Sequence, residues 1–220
     1  MTRALIGLKL SIAAVLLSGM LSCASVEDGP ADQLYRYPGG SITVIDDYGD
    51  CYLSLRGKIS PALEPVMNRA LQNLASRECI ETIVIISSLG GDLATAMHIG
   101  RELRSAGVST DIHQYCDSAC SFVYIGGARR LAHLDSNIQR KSKLGVHQPS
   151  SDLFFGRCIS ESNDPFTIQQ IKNYLATMLP TEAAQYFYKA MFSESCKRMG
   201  YLNAEMMLKM GIATDGVDHH

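Results

Sequence analysis

The run Thr82-Ile83-Val84-Ile85-Ile86-Ser87 constrains the fold more than any other stretch of this 220-residue chain. It is apolar and almost wholly β-branched, the pattern of a strand buried on both faces of a parallel sheet. Such a strand needs helices to cover it, and the sequence supplies them. Ser60-Pro61 opens one as N-cap and first helical residue, with Leu63, Val66, Met67, Ala70, Leu71 and Leu74 at helical spacing. Gly90-Gly91 closes the strand, residues 93–106 read as a second helix stopped by Gly107, and residues 109–115 read as the next strand. Strand, helix, strand with short connections is a βαβ unit, whose crossover is expected to be right-handed. Residues 41–45 and 51–55 add strands ahead of it. The expectation is an α/β domain, with functional loops at the carboxyl ends of the strands.

The N-terminus bears on the compartment. Arg3 and Lys9 precede an apolar stretch over residues 10–21, and the small residues Ser22, Cys23 and Ala24 follow, the order of a secretory signal. The stretch is shorter than the ~20 apolar residues a spanning helix needs. Cleavage before Ser25 suits an ordinary signal peptidase, whereas Met20-Leu21-Ser22 before Cys23 resembles a bacterial lipobox with Cys23 as the lipidated residue; a retained signal anchor is the third reading. The expected organisation is a signal over 1–23, a polar, turn-rich linker over 24–40 and one domain over 41–218. The expected location is the periplasm or a lipid anchor on a bacterial membrane.

Besides Cys23 there are six cysteines, Cys51, Cys79, Cys116, Cys120, Cys158 and Cys196, an even set in a chain expected to leave the reducing cytosol. Sequence does not fix their connectivity. Cys158 with Cys196 would bracket a predicted helical pair, Cys51 with Cys79 lie at the edges of the first strand-helix-strand unit, and Cys116 with Cys120 remain. No Cys-x-x-Cys pair occurs and the histidines are scattered, so no metal site is expected. A net charge of −2 gives no reason to expect nucleic acid, or a membrane beyond the N-terminal anchor.

The chemistry-bearing residues fall in three segments. Gly90-Gly91, after a buried strand and before a helix, can bring backbone N–H groups to a ligand oxygen. Ser118, within Cys116-Asp117-Ser118-Ala119-Cys120, is either a helix cap or a nucleophile at a strand end. Cys116 and Cys120 are rival nucleophiles if reduced. Among six histidines, His147 stands at a predicted strand end after Ser118; His98 lies in a helix, His113 in a strand, His133 in a strand-like stretch, and His219 and His220 end the chain. The set reads as a serine hydrolase, with Ser118 attacking, His147 taking its proton, and the N–H groups of Gly91 and Ala119 holding an oxyanion.

Ser88-Leu89-Gly90-Gly91, Ser118 between small residues, and His147-Gln148-Pro149 resemble, in this order, the proteolytic subunit of the Clp protease and its relatives in the crotonase-like superfamily. Leu89 stands where that family usually has Pro, and two cysteines flank the serine. The likeness continues more weakly through Leu202-Asn203-Ala204-Glu205, Gly211-Ile212 and Asp215. It implies stacked parallel β-sheets with right-handed crossovers, a C-terminal helical pair forming a handle between subunits of a homo-oligomer, and an extended peptide bound along Leu89-Gly90. It also implies an Asp that orients the imidazole. No Asp occupies the matching stretch, and Glu194 is the candidate carboxylate.

The resulting expectation is an exported serine endopeptidase acting on short or unfolded peptides without a cofactor. Two alternatives stay open: a non-catalytic peptide-binding or assembly protein that keeps the fold, and an acyl-thioester hydrolase of the same superfamily.

Overall fold

The computed structural model describes residues 32–47, 49–134, 142–153, 157–160 and 164–217. The expected signal, Cys23, and His219 and His220 lie outside them.

The chain begins with three strands, β1 (Gln33–Tyr37), β2 (Gly40–Asp47) and β3 (Asp50–Gly57), paired antiparallel in sequence order. Residues 33–37 fall inside the expected linker, and their pairing as β1 corrects that reading. The segment alternates, so Tyr37 is buried and donates its hydroxyl to the Lys58 carbonyl at 3.1 Å. A single turn of 3-10 helix, Pro61–Leu63, leads into α1 (Glu64–Ala75). Pro61 takes its expected place, but the Ser60 hydroxyl makes no capping bond; it is buried without a partner. The apolar face of α1, with Val66, Met67, Ala70 and Leu74 buried, enters the core.

The expected buried strand is β4 (Glu81–Ser88), followed by α2 (Leu93–Ser105) and β5 (Ser109–Asp117). Strands β3, β4 and β5 run parallel. Next come α3 (Cys120–Gly126), β6 (Arg130–His133) and β7 (Lys143–Val146). The strand β5 forks the sheet: Thr110 and Asp111 pair with Arg130 and Leu131 of β6, whereas Cys116 and Asp117 pair with Leu144 and Gly145 of β7. The fork follows an irregularity in register. Ile86 pairs with Ile112 and Ser88 with Cys116, so β5 uses four residues where β4 uses two.

A separate hairpin, β8 (Ser150–Leu153) with β9 (Arg157–Ser160), precedes the helices α4 (Pro165–Met178) and α5 (Thr181–Ser193). Asp164 caps α4 by accepting from the N–H groups of Phe166 and Thr167. The chain closes with β10 (Gly200–Asn203) antiparallel to β7, α6 (Ala204–Lys209), and β11 (Asp215–Val217) parallel to β6. Among the described residues, hydrogen bonds join nine strands into one branched sheet. This differs from separate stacked sheets, because β5 belongs to both arms.

Helix α3 is held at both ends. The Arg104 guanidinium donates to the carbonyls of Ile125, Gly126 and Gly127 at 2.8–3.0 Å and to Met178 at 3.1 Å, placing a cation at the carbonyl end of α3 and tying it to α4. Phe122 packs against Tyr174 and edge-on against Phe187, and the Tyr174 hydroxyl donates to the Phe122 carbonyl at 2.6 Å. The helix that follows Ser118 is therefore anchored in the core.

Candidate active site

Ser118 sits on the turn between β5 and α3 with φ of 56°, the only non-glycine in the left-handed region among the described residues. That conformation costs an L-residue roughly 1–2 kcal/mol, so the surroundings must hold it. They do so from both sides. The Ser118 N–H donates to the Gly145 carbonyl at 2.9 Å, and its carbonyl accepts from the N–H and hydroxyl of Ser121 at 3.0 and 2.7 Å. Around the turn, Cys116 and Cys120 form a disulfide with Cα atoms 5.2 Å apart. Cys51 and Cys79 form another, with a Cα separation of 5.6 Å. Cys196 is disulfide-bonded as well, and the side chain of Cys158, its expected partner, lies outside the described residues. None of the first four is a free thiol, which removes Cys116 and Cys120 as nucleophiles.

Beyond the end of β4 the chain turns at Gly90 and Gly91 with φ of 94° and 146°. Both must be glycine. A Cβ on Gly90 would lie 2.6 Å from the Asp117 carbonyl and 2.8 Å from Ser118 Cβ, and one on Gly91 would collide with the Ile59 carbonyl. The contact with Ile59 is a short parallel bridge, in which Ile59 donates to Gly90 and accepts from Asp92 at 2.9 Å each. Neither the Gly91 N–H nor the Ala119 N–H donates to another group among the described residues. Two unused backbone donors thus flank the serine.

A cleft of about 910 Å³ joins these parts. Leu89, Gly90, Gly91, Ser118, Ala119 and His147 all line it, together with Lys58, Ile59, Tyr115 and Met199. Leu89 and Tyr115 are exposed apolar groups at its rim. His147 follows β7 directly and is half-buried, with Nδ1 2.7 Å from the Gln148 carbonyl oxygen. A carbonyl only accepts, so this bond places the proton on Nδ1 and leaves Nε2 as the basic nitrogen. No hydrogen bond links the Ser118 hydroxyl to the ring. Such bonds are commonly loose before substrate arrives.

Glu194, the expected orienting carboxylate, makes no hydrogen bond or ion pair with His147. Its side chain faces Arg198 at 3.5 Å, and only its backbone carbonyl reaches the His147 segment, accepting from the Gln148 N–H at 3.2 Å. The remaining described histidines are engaged elsewhere: His98 with Glu102 at 3.2 Å and His133 with Asp111 at 2.8 Å. The side chain of His113 lies outside the described residues.

A carboxylate that sequence reasoning passed over lies closer. Asp117, directly before Ser118, is 6 % exposed, and its Oδ1 has no partner. Burial pushes its carboxyl above the ordinary carboxylate range, while a hydrogen bond from Tyr201 and the charge of His147 pull it back. The only signal in the sequence was its adjacency to the serine; the pairing that brings it beside the His147 strand is a matter of register.

No protein-family model matches the chain, and neither does any curated protein. Solved structures do. A mutant of ClpP1 from Listeria monocytogenes superposes with a TM-score of 0.56 at 16 % identity, covering 77 % of this chain and 92 % of that one. The chain has the fold of a Clp proteolytic subunit. A mutant of the membrane-bound stomatin-specific protease 1510-N has the same Clp-like frame, with a TM-score of 0.56 at 14 % identity over 76 % of this chain and 77 % of that one.

Proposed function

We propose that this protein is an exported serine hydrolase that cleaves short or unfolded peptides through an acyl-enzyme on Ser118. The observation that carries the reading is the Ser118 turn itself: a serine held in the left-handed region at a strand-to-helix junction, in one cleft with an accessible imidazole and two uncommitted backbone N–H groups. Strain of this kind persists where a side chain must be presented at a sharp angle.

In the proposed reaction Ser118 Oγ bonds to the peptide carbonyl carbon as its proton passes to Nε2 of His147. The tetrahedral oxyanion lies between the N–H groups of Gly91 and Ala119, where losing one donor typically costs about 100- to 1000-fold in rate. The C–N bond then breaks, and the departing amine takes the proton back from Nε2. A water repeats the sequence on the acyl-serine, with His147 again as base, and restores the hydroxyl. Leu89 and Gly90 offer a strand edge for an extended substrate. No step draws on a metal or organic cofactor.

Export is supported by the charged, apolar and small-residue order of residues 1–24 and by the disulfides, which persist in oxidising compartments. Among the described residues no helix is long and apolar enough to cross a membrane. Assembly of several copies, through α4 and α5, is part of the same reading. The similar structure of 1510-N is that of a stomatin-specific protease, which favours a peptide over a thioester as substrate.

The test is covalent labelling of the oxidised mature protein with a fluorophosphonate, followed by peptide mapping. The expected result is a single adduct on Ser118, absent from Ser118→Ala, with hydrolysis of an unfolded casein or a short peptide lost in step by a factor on the order of 10⁶. An unlabelled wild type that still binds an extended peptide would instead establish the non-catalytic reading.

A further inference from the structure

We propose that Asp117 is the charge partner and positioning residue of His147, reaching across Gly145 from the strand that carries the nucleophile. The proposal rests on the reading of His147 as the base.

Strand register brings the two residues together. Asp117 of β5 pairs with Gly145 of β7, and Gly145 pairs on its other side with Tyr201 of β10. The three residues form one row across three strands. Neighbours in a row share a face of the sheet, so Asp117 and Tyr201 flank a position with no side chain, and the Tyr201 hydroxyl lies close enough to favour the charged carboxylate. Gly145 makes this possible: a Cβ there would collide with Asp117 Oδ1. His147 lies two residues beyond Gly145, and positions two apart along an extended chain face the same way. The imidazole is thereby brought within electrostatic range of the carboxylate.

Asp117 also has a vacancy to fill. Its Oδ1 is buried and without a hydrogen-bond partner. An orphaned carboxylate oxygen in a protein wall is destabilising unless a positive charge answers it. His147 acquires that charge when it takes the serine proton. Asp117 is then the group that stabilises the imidazolium through space, while the Gln148 carbonyl fixes the tautomer. The two jobs of the usual third residue are divided between a backbone oxygen and the neighbour of the nucleophile. Of the other charged or titratable groups around the cleft, Glu194 and Arg198 face each other and Asp92 accepts from the Thr95 N–H at 2.7 Å, while Lys58 and Tyr115 line the cleft without a hydrogen bond or ion pair to His147.

The experiment follows the His147 ring by imidazole ¹H–¹⁵N correlation spectra across pH, in the full mature protein, in Ser118→Ala to exclude self-processing, and in Ser118→Ala with Asp117→Asn. The expected result is that Asp117→Asn moves the ring's titration midpoint to lower pH, since an opposite charge at close range favours the charged imidazole. Tyr201 is 56 % exposed, so Tyr201→Phe leaves folding intact; it shifts the midpoint the same way by less, because the carboxylate loses a donor that favours its charged form. Coincident curves for both variants would overturn the proposal. Fluorophosphonate labelling of the single variant Asp117→Asn is expected to slow about tenfold, because the imidazolium formed in the attack loses its counter-charge. If wild type is not labelled at all, the hydrolase reading fails while the titration still decides the coupling; if wild type is labelled and the curves coincide, the coupling alone fails.

Discussion

Asp117 illustrates how a single residue at this site works against the stability of the fold. Its carboxyl is pushed above the ordinary range chiefly by burial, so ionising it costs more in the folded state than in the unfolded chain. The sign follows from linkage: the native state is most favoured below the unfolded carboxylate value of about 3.9, and that advantage is lost as pH rises through the higher folded value. Asp117→Asn, which is neutral at every pH and nearly the same shape, escapes the loss. Its melting temperature is expected to exceed that of wild type at pH 7–8, and the gap to close on acidification toward pH 3.5. Paired thermal melts at the two pH values check it, and a lower melting temperature for the variant at pH 7–8 would contradict it. A more stable but slower variant is the signature of a residue kept for chemistry. At this scale the sequence disclosed Ser118, His147 and the glycine pair, because residue type and order suffice for them. It did not disclose Asp117 or the Gln148 carbonyl, because one depends on strand register and the other on a backbone group that every residue possesses.

At the scale of elements the informative strand is β5. Its expected end at Tyr115 falls two residues short, since the polar, irregular stretch 113–115 breaks the apolar pattern just where the strand changes partner from β6 to β7. Periodicity registers regular pairing and is blind to a fork. The strand β1 was hidden for a different reason: Pro38-Gly39-Gly40 is a turn, and turn residues next to a short alternating segment make the whole read as linker. Yet β1 reaches the site. The Tyr37 hydroxyl bonds the Lys58 carbonyl, and the next residue, Ile59, bridges to Gly90 and Gly91. Tyr37→Phe keeps the ring and leaves that carbonyl short of a partner, so it is expected to cost about 1 kcal/mol. Urea unfolding checks the value through its midpoint, with the slope unchanged. Fluorophosphonate labelling of Ser118 is expected to stay within about twofold of wild type, since the glycine turn keeps its own bridge. A large loss of labelling without loss of stability would show instead that β1 sets the geometry of the cleft.

For the whole molecule the question is what holds a branched sheet around a strained serine, and the two fully described disulfides answer it differently. Cys51–Cys79 closes a separation of 28 residues, linking the start of β3 to the connection between α1 and β4. A loop of that length restricts the unfolded chain enough to stabilise the fold by about 3.5 kcal/mol in the chain-entropy model. Cys116–Cys120 spans a separation of only 4, where chain entropy contributes roughly half as much, and both sulfurs are buried beside the nucleophile's turn. Replacing Cys51 and Cys79 together by serine is therefore expected to lower the melting temperature by about 7–14 °C for a chain of this size and to leave labelling of Ser118 at temperatures well below the transition nearly unchanged. Replacing Cys116 and Cys120 together is expected to do the reverse, with a smaller change in melting temperature and a marked fall in labelling rate, because Ser118 can then relax out of the left-handed region toward an ordinary helix start. Calorimetry and labelling on the two double variants separate the cases. Equal loss of stability with equal loss of labelling would mean that the short bridge is one more staple, and that the Gly145 and Ser121 hydrogen bonds alone hold the serine in place.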